Sequence, residues 1–189
     1  PMNPRLNRLV HMADMLDTTA GAYPFPVDLP LLQEMAWIFD PYRQFRASGG
    51  LARRDANAFT GVVANVGMRI KAHLYGNGEQ LPLDTRYERI GGGPGWTMVI
   101  EQGAQARMAM VAHGIHAFVS VRNNGNDTWT YTGWRMSEFI PVPIDQIPTL
   151  MNGVEQLTSG DRWGGGSTII GSPRIAGSKT PPREFEKVF

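Results

Sequence analysis

The residues best suited to chemistry fall in one stretch, Arg162-Trp163-Gly164-Gly165-Gly166-Ser167-Thr168-Ile169-Ile170-Gly171-Ser172-Pro173-Arg174. Three consecutive glycines lack the Cβ atoms that would hold a ligand away from the main chain. Their N–H groups can line a concave nest for an anion. The hydroxyls of Ser167, Thr168 and Ser172 add neutral donors, and Arg162 and Arg174 bracket the loop with fixed positive charge. The chemistry such a loop serves is the binding of phosphate or another oxyanion. A plain tight turn at a helix end uses the same residues, with both arginines in solvent.

A second constellation lies near the start of the chain. Leu6, Leu9, Val10, Ala13 and Leu16 recur at three- and four-residue steps, which predicts an amphipathic helix from Pro4 to about Thr18 with the proline in its first turn. His11, Asp14 and Asp17 follow one another at three-residue spacing, on neighbouring turns of one face. Two carboxylates and an imidazole are ligand types that magnesium, manganese or zinc accept, and the same spacing describes a solvated polar face. Arg43, Arg46, Arg53 and Arg54 surround Ser48-Gly49-Gly50, either as a phosphate-facing loop or as solvated charge. His113 and His116 straddle Gly114 at a helix-to-strand junction, which argues against a shared metal.

Composition limits what these residues can belong to. The chain has 189 residues, 42% of them hydrophobic and 19% charged, enough for one large or two small domains with a real core. Its 22 glycines and 14 prolines indicate many loops. The net charge is +1, so no general pull towards nucleic acid or membrane exists and any anion site must be local. The absence of cysteine excludes disulfides, thiolate metal sites and cysteine nucleophiles, and fits a reducing cytoplasm. No apolar run approaches the ~20 residues needed to cross a bilayer, and the N-terminal Pro-Met-Asn-Pro-Arg has no charged-then-apolar signal pattern. The chain begins on proline, as a processed protein or a piece of a longer one would.

The elements that must position these residues follow in order. Asp28 and Pro30 open a second helix with Leu31, Leu32, Met35, Ile38 and Phe39 on its apolar face, and Asp40-Pro41 is expected to end it. Asp55 caps a helix over about 56–75 with Phe59, Val62, Val63, Val66 and Ile70 inward, where Gly61 and Gly67 permit close packing. Gly76-Asn77-Gly78 ends it, and the polar run to Asp84 marks a domain boundary. Strands are expected at 87–90 and 96–100 around a glycine turn at 91–95, a helix at 104–112, and a hairpin of 116–122 with 128–132. A helix from Ile144 to about Leu157 leads into the glycine loop, and Thr180-Pro181-Pro182 precedes a short C-terminal helix or tail.

The order of a strand ending Ser120-Val121-Arg122, a hairpin, a helix and Gly164-Gly165-Gly166 resembles the DHH-associated C-terminal domain of the DHH phosphoesterase superfamily. That superfamily comprises single-strand exonucleases, oligonucleotide and cyclic-dinucleotide phosphodiesterases and exopolyphosphatase-related proteins. Met12-Ala13-Asp14-Met15-Leu16-Asp17-Thr18 is similar to the family segment in which an aspartate completes a two-metal site. The resemblance implies an α/β fold in two parts: residues 1–80 as the helical end of a catalytic domain with linker helices, and 85–189 as a small mixed-sheet substrate-binding domain with flanking helices. It implies Arg122, Gly164, Gly165 and Gly166 as phosphate-binding residues. The hydroxyl of Ser167 and the charge of Arg174 join them from the reading of the loop itself, and Lys179 is a further contact on its sign and proximity in sequence. Asp17, or else Asp14, is the implied ligand of a manganese or magnesium ion.

Two departures accompany the likeness. The chain contains no Asp-His-His, so on the family pattern most of the catalytic domain would precede Pro1 and residues 1–189 alone would be inactive. Ser167 stands where the family loop has histidine, and a serine supplies neither a cation nor a proton near neutral pH.

The leading expectation is therefore the C-terminal portion of a metal-dependent phosphohydrolase. It would bind the phosphate of short oligonucleotides, nucleotides or polyphosphate, with no membrane partner and with a homodimer compatible. A rival is a non-catalytic module for nucleotide or single-stranded nucleic acid, with Trp129, Tyr131, Trp134 and Trp163 stacking on bases or, alternatively, packing a sheet core. A third is a structural domain without a ligand.

Overall fold

The structure, a computed structural model, describes residues 3–189 and divides at Leu83/Asp84 into two compact units. The first is helical and the second carries a six-stranded mixed sheet, an α/β architecture. The division falls at the end of the polar run that marks the boundary in sequence.

Unit 1 contains α1 (Pro4–Thr18), α2 (Pro30–Ala47), the short α3 (Gly50–Arg53) and α4 (Ala56–Leu74). Asn3 caps α1 by accepting the Arg5 N–H, and Asp55 caps α4 by accepting the Ala58 N–H. Leu9, Met12, Leu32, Ile38 and Phe45 form its buried core. Leu29, not Asp28, occupies the cap position of α2 and supplies no side-chain bond there.

The helix expected to end at Asp40-Pro41 instead continues to Ala47. A proline inside a helix removes the N–H that would bond the carbonyl four residues back, here that of Trp37. Arg69 of α4 donates to that carbonyl in its place and sets its guanidinium 4.8 Å from the centre of the Trp37 ring. Asp40 is buried and accepts from Arg43 and Gln44 across the proline. Arg69→Ala is accordingly expected to destabilise unit 1 by roughly 1–3 kcal/mol, the cost of an unsatisfied buried carbonyl. Urea denaturation followed by the helical circular dichroism signal would check this.

The same contacts rotate α4. Val62 and Val66 are half-buried and His73 is fully buried, whereas Phe59 and Val63 are 41% and 55% exposed. The packed face thus runs through Val62, Val66, Arg69 and His73, because Arg69 donates to the Trp37 carbonyl of α2 and His73 packs beside Glu34 of α2, its Nδ1 2.9 Å from the carboxylate. A side chain at Gly61 or Gly67 would meet nothing within 4 Å, so neither glycine serves close packing.

Unit 2 contains β1 (Tyr87–Gly93), β2 (Trp96–Glu101), α5 (Ala106–Ala112), β3 (Ala117–Asn123) and β4 (Trp129–Arg135). A 3-10 turn at Ile144–Gln146 then leads into α6 (Ile147–Val154), followed by β5 (Gly164–Gly165), β6 (Ile169–Gly171) and α7 (Pro182–Val188). The sheet order is β1-β2-β3-β4-β6-β5, antiparallel throughout except for the β2–β3 pair. The expected glycine turn at 91–95 is smaller, since β1 runs through Gly93 and only Pro94-Gly95 turns.

Period-two alternation distributes the strand residues between two faces. Val119, Val121, Tyr131 and Ile170 join Ile147, Met151, Trp163 and Phe185 in the core. On the other face Phe118 stacks on Trp134 at 5.2 Å beneath α5, and beyond them Ser120, Arg122, Thr130 and Thr132 continue the strands.

Candidate functional site

The glycine stretch is a strand and a turn, not a nest. Gly164 pairs with Gly171 and Gly165 with Ile170, and the Gly166 N–H donates to the Ile169 carbonyl at 2.8 Å. That closing bond leaves the Gly165 N–H facing away from β6, since antiparallel pairs alternate. Extended chain directs successive N–H groups to opposite sides, so they do not converge on one anion. The nest expected from sequence is corrected here: the Gly166 N–H is spent on β6 and the Gly165 N–H points the other way, because the stretch pairs as a strand. Gly165 alone has a local need for glycine, at φ +147 with the Ile169 carbonyl against its would-be Cβ. Side chains at Gly164 or Gly166 would meet nothing within 4 Å.

Register decides which of the expected residues meet. Ser120, Thr132, Gly171 and Gly164 form one row across β3, β4, β6 and β5. Arg122 lies opposite Thr130, one pleat beyond that row. The turn at 166–168 lies beyond the row in the other direction. There the Thr168 carbonyl accepts the N–H of Arg135, which is paired with Ala117 at the start of β3. Ala117 to Arg122 is about 17 Å of strand, and three interstrand steps of about 4.8 Å separate β3 from β5. Arg122 and Ser167 therefore do not share a pocket.

Arg122 does have company at its own end of the sheet. Trp129 and Ser178 exchange backbone bonds of 2.8 and 2.7 Å, which lays residues 177–179 beside β4. The two-residue period of extended chain puts Lys179 on the face of Thr130 and Arg122, opposite to Ser178. The Arg122 guanidinium is exposed and donates to Thr130 Oγ1 at a long 3.5 Å. Ser120 is 8% exposed, and among the described residues its hydroxyl has no hydrogen-bond partner. Arg174 lies in the 174–176 turn that follows β6. Three main-chain N–H groups, from Arg174, Ile175 and Ala176, donate to Asp161 at 2.7–2.8 Å. These bonds, that of Ala176 foremost, hold the Asp161 carboxyl below its ordinary pKa.

Three residues that sequence reasoning passed over hold this region together. Arg135 is buried at the end of β4; it donates to the Ser167 and Val142 carbonyls at 2.8 and 2.9 Å and pairs with Asp145 at 3.0 Å. Asn152 of α6 exchanges two 3.1 Å bonds with the backbone of Trp163. Glu155 accepts from Trp163 Nε1, from Ser178 and Thr180 hydroxyls and from the Lys179 and Thr180 N–H groups. Burial and then the Glu155 charge raise the Tyr131 hydroxyl above the ordinary tyrosine range. The signal available in sequence was a charge at the end of an element, Arg135 closing β4 and Glu155 following α6.

The aromatic residues are not a stacking platform. Tyr131 and Trp163 are each 1% exposed in the core against which Trp129 packs, and Trp134 is 4% exposed on the other face, stacked on Phe118. In unit 1, His11, Asp14 and Asp17 are all exposed on α1. Among the described residues no three His, Asp or Glu side chains group to hold a metal ion. Asp14 and Asp17 thus do not form a metal centre by themselves, and no chemical step is assigned to one. No helix among the described residues is long and apolar enough to cross a membrane.

Comparison with protein families, with curated proteins and with solved structures finds no match to this chain.

Proposed function

We infer that unit 2 binds the phosphate of a phosphodiester or phosphoanhydride compound, as the substrate-holding part of a DHH-type phosphoesterase. The site is moved from the glycine turn to the far end of β3. One observation carries this reading: an exposed arginine at a strand end, weakly held by its neighbours, one pleat from the Ser120 hydroxyl, which makes no hydrogen bond among the described residues. A phosphate oxygen reaching both would give Ser120 an acceptor and Arg122 a charge-assisted bond. Lys179 stands on the same face to complete the contact, while the Thr130 hydroxyl donates to Asn124 Oδ1 at 2.9 Å and so serves only to hold Arg122. Glycines at 164 and 171 leave the row of Ser120 and Thr132 without side chains on β6 and β5, room for the rest of a nucleotide or polyphosphate. A divalent ion, with Asp17 as one ligand, belongs to this reading only if the other ligands come from outside the described residues.

Arg122→Ala is expected to weaken binding of a short oligonucleotide, a nucleotide or polyphosphate by about tenfold or more, the value of one charge-assisted bond. Calorimetric titration of the purified chain would measure it. Unchanged affinity for all three ligands would exclude the assignment. The rival reading, a binding module without turnover, loses its stacking residues to the core. It is separated by assaying release of phosphate or mononucleotide with manganese alongside binding without metal.

A further inference from the structure

Unit 1 contains a pocket of about 350 Å³ lined by Arg5, Arg8, Leu29, Leu31, Glu34 and His73, within the size range of small-molecule sites. Its chemistry is unusual for a structural gap. His73 is 2% exposed, and its Nδ1 is the buried side-chain polar atom without a hydrogen-bond partner among the described residues. That atom lies 2.9 Å from Glu34 Oε2, close but not aligned for a bond, while Nε2 lies 3.3 Å from the Arg5 carbonyl. The Glu34 side chain is only 16% exposed and receives no hydrogen bond from the described residues. Arg5 reaches back at 3.4 Å to the His73 carbonyl near the end of α4, and Arg8 has no acceptor among the described residues. Neither arginine forms an ion pair with Glu34. Among the described residues the carboxylate of Glu34 thus has only the His73 imidazole beside it and accepts no aligned hydrogen bond, which is costly for a largely buried group. The exposed guanidinium groups of Arg5 and Arg8 at the same pocket form no ion pair among the described residues.

We propose that this pocket binds phosphate in a protonated form, as inorganic phosphate or as the monoester of a small molecule. The P–OH donates to Glu34, the ionised oxygens accept from Arg8 and Arg5, and His73 backs the carboxylate. The organic part of a monoester lies against Leu29 and Leu31. Two arginines alone would take any oxyanion. The carboxylate changes that, because it repels a fully ionised ligand and requires a donor from the one it admits. Sulfate has the shape of phosphate but carries no proton near neutral pH, so it should be refused. A metal ion fits less well, since both arginines repel it and only two ligand side chains are present. The proposal does not rest on the reading of unit 2.

The test is titration of the full chain with inorganic phosphate, phenyl phosphate and sulfate at equal ionic strength, followed through the amide resonances of residues 29–34 and 73–78. At pH 6 a monoester is still about half protonated. Either phosphate is expected to bind at least about tenfold more tightly than sulfate, as sites built for a donor reject ligands without one. Tighter binding of phenyl phosphate would assign the pocket to a monoester, and tighter binding of inorganic phosphate to the free ion. Glu34→Gln, whose amide can donate to an ionised oxygen, is expected to abolish the preference, and Arg8→Ala to weaken phosphate about tenfold. Equal affinity for phosphate and sulfate in the unmodified chain, or no movement of these resonances with any of the three, would overturn the proposal. That comparison needs no variant, so it stands even if Glu34→Gln folds poorly.

Discussion

Glu155→Gln is expected to lower the stability of unit 2 by about 3 kcal/mol or more. One carboxylate oxygen accepts from Ser178, Lys179 and Thr180, and the other from the Trp163 indole. A glutamine amide has one acceptor oxygen and one donor nitrogen. Whichever way it turns, either the indole N–H or the 178–180 donors face another N–H. Hydrogen bonds to a charged group contribute about 1.5–3 kcal/mol each, and unsatisfied buried donors add their desolvation cost. The consequence reaches the proposed site, because the same carboxylate keeps residues 178–180 beside β4 and so positions Lys179. Urea unfolding monitored by tryptophan fluorescence should show the midpoint falling sharply. A change below about 0.5 kcal/mol, the size of an ordinary surface substitution, would mean that water replaces these contacts and that Glu155 does not organise the region.

Gly165→Ala is the second large effect, and its value lies in comparison with its neighbours. At φ +147 an alanine is strained, and its Cβ would press on the Ile169 carbonyl and the Ile170 Cα. Backbone strain of about 1–3 kcal/mol and overpacking of about 1–3 kcal/mol act together, so the β5–β6 hairpin is expected to open. Gly164→Ala and Gly166→Ala meet open space and should change stability by no more than about 0.5 kcal/mol. Measuring stability and oligonucleotide affinity for all three separates fold from function. If Gly164→Ala weakens binding at unchanged stability, the bare face near the sheet edge contributes to the ligand site. Should all three variants be equally stable, the strand geometry at Gly165 is wrong.

Much of the architecture was legible in the sequence because it depends on local patterns. The three- and four-residue steps of Leu6, Leu9, Ala13 and Leu16 specify α1, Asp55 specifies where α4 starts, and the alternation through Val119 and Val121 specifies β3. The change from helical to strand period after Gly78 gives the two units. Errors arose where a local signal was outweighed by a distant partner. Pro41 should end α2, but Arg69, 32 residues away from Trp37 in sequence, supplies the missing donor. The apolar arc of α4 pointed to Phe59 and Val63, and the polar partners of Arg69 and His73 turned the helix away from them.

The candidate site shows the same division. Residue types by themselves pointed to the phosphate-seeking chemistry proposed for this chain: an arginine after Ser-x on a strand, a run of glycines, hydroxyls and cations near one another in sequence. Which of them act together is a matter of strand register. β6 and β4 stand between the glycines and β3, so the 164–166 stretch pairs with β6 while Arg122 stands beside Ser120 and Thr130, on the face that Lys179 shares. Only tertiary structure could decide that, because hydrogen-bond pairing between strands is a long-range choice that no spacing along the chain records. The pocket at Arg8, Glu34 and His73 was beyond sequence for the same reason, its charges being carried by three helices that only packing brings together.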